Sequence, residues 1–594
     1  MVTATRTSRS LMAVPRAVNL VGPAAMAERA PRNSAEALRE EGGIQIQKSE
    51  HGGGNAIIRG MGSSQVLLLV DGIRLNNSTY RFGNHPYLAT VDNSMLNRIE
   101  VVRGPGSTLF GSDAMGGTVN MITRTPGFGG TALTAQGRAS ARYASADGER
   151  IGRLEGTVQG RGFALAAGAG YKDAGDLKRG ASEDQPLWET SPVTQSPSGY
   201  RGYDYDGKLV FGPSERHRFS LAWQSARRPE VPRFDRYEDP GFHRWLYTDQ
   251  ERDLGYLMYE HSGSQSWPDR PVPLRFFTSV HRQEEGRDIQ RSAAGSRTRE
   301  FVEVYTYGFG GQAGYRRGKH EWTLGGEAYL DKVESFRDVT DAAGATTRQL
   351  LGLFPDGAYY GSYGAFLQDE WRAHPDWTLT AGARYSLARM DFHLPASPAL
   401  DLGFGNVRED FRALTGSLGA SYRIRNGIHL QAGLSQGFRA PNLSDVSKNG
   451  EANTSSDARF TYEIPNPDLE PEKMVSTDVG IKADLPGLKA SLFAFRSGVR
   501  DLLGTRTASY QGDSAREIDG RRYILLSKQN IGEAVLWGLE ADALARLHSR
   551  LWRLPRAFTV HAGVENLLDY NYREHGSGIN APGRNFIASL EWAP

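Results

Sequence analysis

Beyond Pro126 the chain switches to a strict period-two alternation, and this pattern constrains the fold more than any other feature. Leu133, Ala135, Gly137, Ala139, Ala141 and Tyr143 share one parity, while Thr134, Gln136, Arg138, Ser140 and Arg142 hold the other. Successive side chains of a strand point to opposite faces, so the segment predicts a strand with one apolar and one polar face. The pattern recurs at Phe163–Tyr171, Tyr203–Phe211, Trp322–Leu330, Trp377–Tyr385, Phe558–Val564 and Phe586–Trp592. Aromatic residues sit repeatedly at the ends of the apolar faces, where a membrane strand meets the headgroups.

The connections alternate in length. Short ones fall at 160–162, 212–216, 316–319, 374–376, 425–427 and 485–487. Long polar stretches lie between them, at 173–200, 227–250, 284–299, 333–360, 392–410, 439–473 and 501–530. Short turns on one side and long loops on the other is the pattern of an outer-membrane barrel. A soluble sandwich would bury its apolar faces and rarely sorts its loops by length in this way.

Other classes are excluded by composition. The longest apolar run is Val66–Val70 and the mean hydropathy is −0.50, so no helix crosses a bilayer. With 70 Lys and Arg against 68 Asp and Glu, there is no basic surplus for nucleic acid. The chain has no cysteine, which removes disulfides and thiolate metal sites. Residues 1–126 read differently from the rest, with a helical stretch at Ser34–Glu41, a buried strand at Gln65–Val70 and several glycine turns. The fold class expected is an all-β transmembrane antiparallel barrel over 127–594, with an α+β domain over 1–126. The N-terminus shows no charged region followed by an apolar core, so a processed chain or a start downstream of the true one is expected.

Specific motifs run through both parts. The first reads Ile57-Ile58-Arg59-Gly60-Met61-Gly62, followed by Val66 to Arg74, then Arg98-Ile99-Glu100-Val101-Val102-Arg103-Gly104-Pro105-Gly106-Ser107, and Phe110-Gly111 on to Thr123. The second part adds Gly437-Phe438-Arg439-Ala440-Pro441, Asn466 to Lys473, and Val564-Glu565-Asn566-Leu567-Leu568-Asp569. In this order they resemble the TonB-dependent outer-membrane receptors over nearly the whole chain. Gly60-Met61-Gly62 and Gly104-Pro105-Gly106 lack the remaining residues of nucleotide-binding loops and read as tight turns. No catalytic triad or HExxH arrangement stands out, and no resident cofactor or metal site is expected.

The resemblance implies a plug inside a barrel in the bacterial outer membrane, embedded in outer-membrane lipid. It implies import of an extracellular metal complex, driven by the inner-membrane TonB-ExbB-ExbD system. Val2, Thr3 and Ala4 look like the tail of a TonB box. In the family, plug arginines pair with carboxylates of the wall, which points to Arg59 and Arg103 with Asp478 and Glu540. Both acids stand at the inward parity of their strands. The cargo expected is a ferric siderophore before haem or cobalamin. Haem receptors place a histidine between the two barrel motifs, and residues 442–465 contain none. Candidate ligand contacts are Tyr80, Arg81, His85, Arg233, Tyr237, Tyr359 and Tyr360. A passive pore or surface-binding barrel without active transport, and a soluble all-β enzyme, are the competing classes.

One count departs from the family. Roughly 18 alternating segments follow Pro126, against about 22 strands in plugged transporters. The shortfall lies at Ala543–Arg556, where only one turn fits. A narrower ring leaves a full-sized plug partly outside, or the wall imperfectly closed, or else the sequence lacks a segment that its ancestor had.

Overall fold

A computed structural model describes residues 6–7, 9–129, 132–181, 193–214, 216–238, 242–262, 271–395, 405–451, 460–518, 521–545 and 558–593. Val2, Thr3 and Ala4 lie outside the described residues.

The N-terminal part is built on two small sheets. A five-stranded sheet runs in the order Val18–Val21, Leu96–Arg103, Gly117–Thr123, Val66–Val70, Ile73–Arg74. Val66–Val70 lies parallel to Gly117–Thr123, and every one of its residues is buried. A strand covered on both faces needs an unbroken apolar run, which is why this segment does not alternate. A second sheet joins Ile44–Gln47, Asn55–Ile58 and Met61–Gly62. The longer of the two α-helices in this part is Pro23–Arg29, opened by Pro23 and closed by Ala30 in a left-handed conformation; the other is the single turn Ser107–Phe110. The helix expected over Ser34–Glu41 is only a single 3-10 turn, Glu36–Leu38. There Asn33 accepts from the Glu36 amide through its side chain and captures the backbone locally.

The barrel follows. Its crossing strands are β1 (Thr134–Ala144), β2 (Glu149–Gln159), β3 (Phe163–Ala174), β4 (Tyr200–Ser214), β5 (His217–Pro232), β6 (Arg244–His261), β7 (Pro271–Gln290), β8 (Arg297–Arg317) and β9 (His320–Thr340). They continue as β10 (Tyr359–His374), β11 (Trp377–Leu394), β12 (Gly405–Arg425), β13 (Ile428–Arg439), β14 (Glu472–Leu485), β15 (Leu488–Arg500), β16 (Ala534–Ala545), β17 (Phe558–Glu565) and β18 (Asn585–Trp592). The ring holds one further strand, Thr346–Arg348, which pairs only with the outer end of β9 and is too short to cross. Among the described residues, therefore, eighteen strands span the wall. The last strand closes on the first, from Ile587 opposite Ala144 to Trp592 opposite Ala139.

Burial follows the pleat. Along β14, Glu472, Met474, Ser476, Asp478 and Lys482 are buried inward, while Val475, Val479 and Ile481 are exposed on the lipid side. Aromatic pairs mark the short-turn end, with Phe211 and Phe219 at 5.4 Å, Tyr315 and Trp322 at 5.8 Å, and Trp377 and Tyr422 at 4.7 Å.

Two expectations change. The stretch 284–299 is not a long loop, because β7 runs to Gln290 and β8 starts at Arg297. Strands of up to 21 residues rise far beyond the roughly 9–11 that cross lipid. Cross-strand ion pairs such as Arg282 with Glu303 and Glu251 join neighbouring strands in these polar extensions. The second change concerns closure: the ring is closed, with β16 and β17 as hydrogen-bonded neighbours and β18 paired to β1, so the wall is not left imperfectly closed. Both faces of β17 are largely exposed, with Thr559 and Gly563 open on the inner side and Val560 and Val564 on the outer.

Candidate functional site

The plug arginine at position 59 sits in a two-residue hairpin turn. Ile58 faces Met61 across the hairpin, and Arg59 and Gly60 both take positive φ, 52° and 79°. A non-glycine residue there carries strain of order 1 kcal/mol or more, which the surroundings must offset. Arg59 meets the wall at two carboxylates. Its Nη1 lies 2.6 Å from Asp478 on β14, and its Nε and Nη2 donate to Glu540 on β16 at 3.0 and 2.9 Å. The guanidinium also stacks 4.1 Å from the centroid of Phe495. Burial pulls the Arg59 pKa down, but Glu540 and Asp478 outweigh it and leave the group above its ordinary value.

Arg103 approaches the same acid at 3.4 Å, and its closer partner is Asp542 at 2.8 Å. It also donates to the Gly42 carbonyl. Two glycines make room for this cluster. A Cβ on Gly43 would stand 2.7 Å from Glu540 Oε1, and one on Gly104 would stand 2.8 Å from Arg59 Nη1. Asp542 was not among the residues singled out from sequence, although it is two positions from Glu540 and so shares its inward parity.

A second buried node ties plug to wall. Arg439, at the end of β13, pairs with Glu472 and with Asp445. Glu472 also accepts from Gln65 of the plug at 3.1 Å and from the Leu503 amide at 3.0 Å. Below it, the segment before the first plug strand is strapped to the wall through its carbonyls. Lys482 donates to Leu11 and Val14, Gln431 to Met12, and Gln312 to Arg6.

The ligand candidates fall into separate groups. Tyr80, Tyr87 and His85 form one stack, with centroids 4.1 Å apart for Tyr80 and Tyr87 and 4.3 Å for His85 and Tyr87. Beside them Arg81 is paired bidentately with Glu285 at 2.6 and 2.9 Å. Burial, with Arg81 nearby, lowers the His85 pKa to about 3, so the imidazole is neutral. Its two nitrogens have no hydrogen-bond partner among the described residues, and the side chain is not presented to the mouth of the barrel. Arg233 pairs with Asp235 and lies over Trp245, whose amide donates to the Tyr237 hydroxyl. Glu285, Arg287 and Trp245 connect these groups, since Arg287 donates to Glu285 at 2.8 Å and lies over Trp245 at 5.8 Å. These three connectors fell in segments read as loops from sequence.

The remaining candidates lie elsewhere. Tyr360 is buried and donates to the Pro441 carbonyl. Tyr359 is corrected: it is 58% exposed and has the outward parity of Tyr363 and Leu367, so it faces away from the lumen.

A buried carboxyl stands next to this region. Glu50 accepts from Gln250 Nε2 with both oxygens at 3.0 Å. Burial pushes its pKa up from 4.5 to about 8, against the Gln250 bond and the Arg233 charge. A carboxyl whose folded pKa is raised contributes stability that is fully present below its ordinary value. That contribution is lost as pH rises through about 8. Wild-type resistance of the plug to urea should therefore fall between about pH 5 and pH 9, and Glu50→Gln should flatten the fall. An unchanged slope in the variant, read by protease sensitivity of the plug, refutes this.

A wall of membrane strands closed around a mixed-sheet plug, with plug arginines on wall carboxylates, defines a plugged outer-membrane barrel. Family models agree: the TonB-dependent receptor plug domain matches residues 10–118, and the TonB dependent receptor-like beta-barrel matches 187–594. The chain belongs to the TonB-dependent receptors. It is thus a multi-pass outer-membrane receptor that takes its ligand from outside and works with the TonB-ExbB-ExbD system, and it is not an enzyme. An iron-regulated outer membrane virulence protein of Vibrio cholerae is 23% identical over 618 residues, covering 100% of this chain and 81% of that one. The vitamin B12 transporter BtuB of Vibrio vulnificus is 23% identical over 505 residues, covering 84% and 70%. Among solved structures, the copper transporter OprC superposes with a TM-score of 0.77 at 17% identity, over 98% of each chain.

Proposed function

We propose that this receptor imports a ferric siderophore by energised uptake, with residues 1–126 as the plug and 127–594 as the barrel. The observation that carries the choice of cargo is the outer cluster of Arg81, Arg233 and Tyr237, each partly exposed and backed by the buried Trp245 and Arg287. Guanidinium and aromatic groups suit an anionic, partly aromatic iron chelate. A haem iron would need a presented imidazole, and His85 is 4% exposed inside an aromatic stack. The iron regulation named for the full-length Vibrio cholerae relative points the same way. Arg59 and Arg103 act in this reading as the lock that holds the plug against Asp478, Glu540 and Asp542, and Val2, Thr3 and Ala4 as part of the TonB contact.

The test is a side-by-side panel on cells with and without TonB. Radioiron bound to a catecholate, a hydroxamate or citrate is compared with haemin, cyanocobalamin and a copper salt. TonB-dependent accumulation of at least one iron chelate, and of neither haemin nor cyanocobalamin, is expected. Accumulation of haemin or cyanocobalamin alone refutes the reading. His85→Ala should leave any residual haemin binding unchanged.

A further inference from the structure

The outer surface of the wall is electrically lopsided. Across β6, β7, β8 and β9, Glu251, Glu284, Glu303 and Glu334 stand opposite one another in register, all with the outward parity. Arg227, Arg282 and Lys332 pair with them. Like charges facing each other across a ladder repel, so this flank stays hostile to a further anion.

The flank at β14, β15 and β16 is the reverse. Its outward positions hold Lys473, Arg496 and Arg500 and no carboxylate. Lys473 reaches Asp501 at 3.4 Å and Arg500 reaches Glu533 at 3.5 Å, in exposed pairs just beyond the strand ends. Such pairs hold their members loosely. Arg496 is exposed and has no ion pair or hydrogen bond among the described residues.

The three bases surround a notch. Gly498 lies between the two arginines, flanked across the ladder by Val475 and Val535. A Cβ on Gly498 would meet nothing within 4 Å, so the surface there is open. Lys473 stands opposite Arg500 in register, and Trp537, 77% exposed, stands opposite Arg496.

The notch sits at the upper edge of the lipid band. β15 leaves its short turn at Leu488, and Arg496 is eight residues farther on. At about 3.3 Å per residue and a tilt of about 40°, that is about 20 Å up an apolar band about 25 Å tall. Arg500 is about 10 Å higher, among the headgroups. Trp537 marks the same boundary, where indole rings are favoured. The long loops lie outside the cell, so the leaflet at this height is the outer one. A guanidinium at the edge of hydrocarbon without a protein partner is stabilised by an anion, and its planar fork matches a phosphate.

We propose that this notch seats a phosphate of a phosphorylated glycolipid of the outer leaflet, with Arg496 below it, Arg500 and Lys473 above it, and an acyl chain against Trp537 and Leu539. The glutamate row keeps the same headgroup off β6 to β9, so the lipid is held on one flank only. The site is independent of what the receptor imports.

Protein purified in a nonionic detergent is titrated with bisphosphorylated lipid A, with the same glycolipid stripped of its phosphates, and with phosphatidylglycerol. Bound lipid is read by native mass spectrometry. Lipid A should be retained more tightly than either comparison. Arg496→Ala should weaken that retention about fivefold, and Arg496→Ala combined with Arg500→Ala about 25-fold. Arg496→Lys should keep part of it, and Lys332→Ala on the acidic flank should leave it unchanged. These side chains point away from the plug, and wild-type heat-modifiable mobility checks that each variant is folded. Equal retention of the dephosphorylated glycolipid or of phosphatidylglycerol, or undiminished retention of lipid A by the double variant, overturns the proposal.

Discussion

Arg59→Ala should loosen the plug by about 3–5 kcal/mol, because it strands the buried Asp478 and leaves Glu540 only its longer contact with Arg103. Asp478 and Glu540 are both buried, and neither can turn to bulk water. Loss of the stack on Phe495 adds to the cost, while relief of the left-handed backbone at position 59 offsets a little of it. The measurement is the urea midpoint at which protease cuts the plug, together with sensitivity of cells to antibiotics too large for an intact receptor. Arg348→Ala is the comparison, since its pair with Asp338 is exposed and contributes little. Adding Glu540→Gln to Arg59→Ala should recover part of the loss by removing one under-compensated charge. Equal midpoints for Arg59→Ala and Arg348→Ala would dispose of the lock.

Arg439→Ala should have a larger effect on assembly. Arg439 and Glu472 are each fully buried, and Asp445 is nearly so. Removing the guanidinium leaves two carboxylates with no counter-charge between them, again a penalty of about 3–5 kcal/mol. The damage spreads, because Glu472 also holds plug Gln65 and the backbone at Leu503. The expected result is loss of the heat-modifiable folded barrel from outer membranes. Arg439→Lys should restore part of it, since an ammonium keeps the charge but cannot span both acids as a planar fork. Full-level assembly of Arg439→Ala with an intact plug would falsify this account.

Much of the wall was legible because lipid imposes period two on every crossing strand. β18 falls at Asn585–Trp592, with Phe586, Leu590 and Trp592 outward, as alternation alone places it. The same parity rule put Asp478 and Glu540 on the inner face. It failed where polarity alone was used to mark loops. Residues 284–290 are charged yet form the upper end of β7, because that part of the ladder stands above the lipid and alternates charged partners instead of apolar ones. The ligand candidates were less legible for a related reason. A tyrosine near a loop reads the same whether it stacks inside the plug, as Tyr80 does, or faces outward, as Tyr359 does. Which of these holds depends on contacts across hundreds of residues. The carbonyl strap at residues 6–14 carries no sequence signal at all, since the groups held there are main-chain oxygens common to every residue.

The closure of β18 on β1 bears on the size of the lumen. In a closed ring, strand number and stagger fix the circumference, and the bore cannot change without breaking many hydrogen bonds together. Eighteen crossing strands therefore make a hoop of set girth. Whatever opens a way through such a hoop has to come from movement of what it encloses, not from widening of the hoop itself.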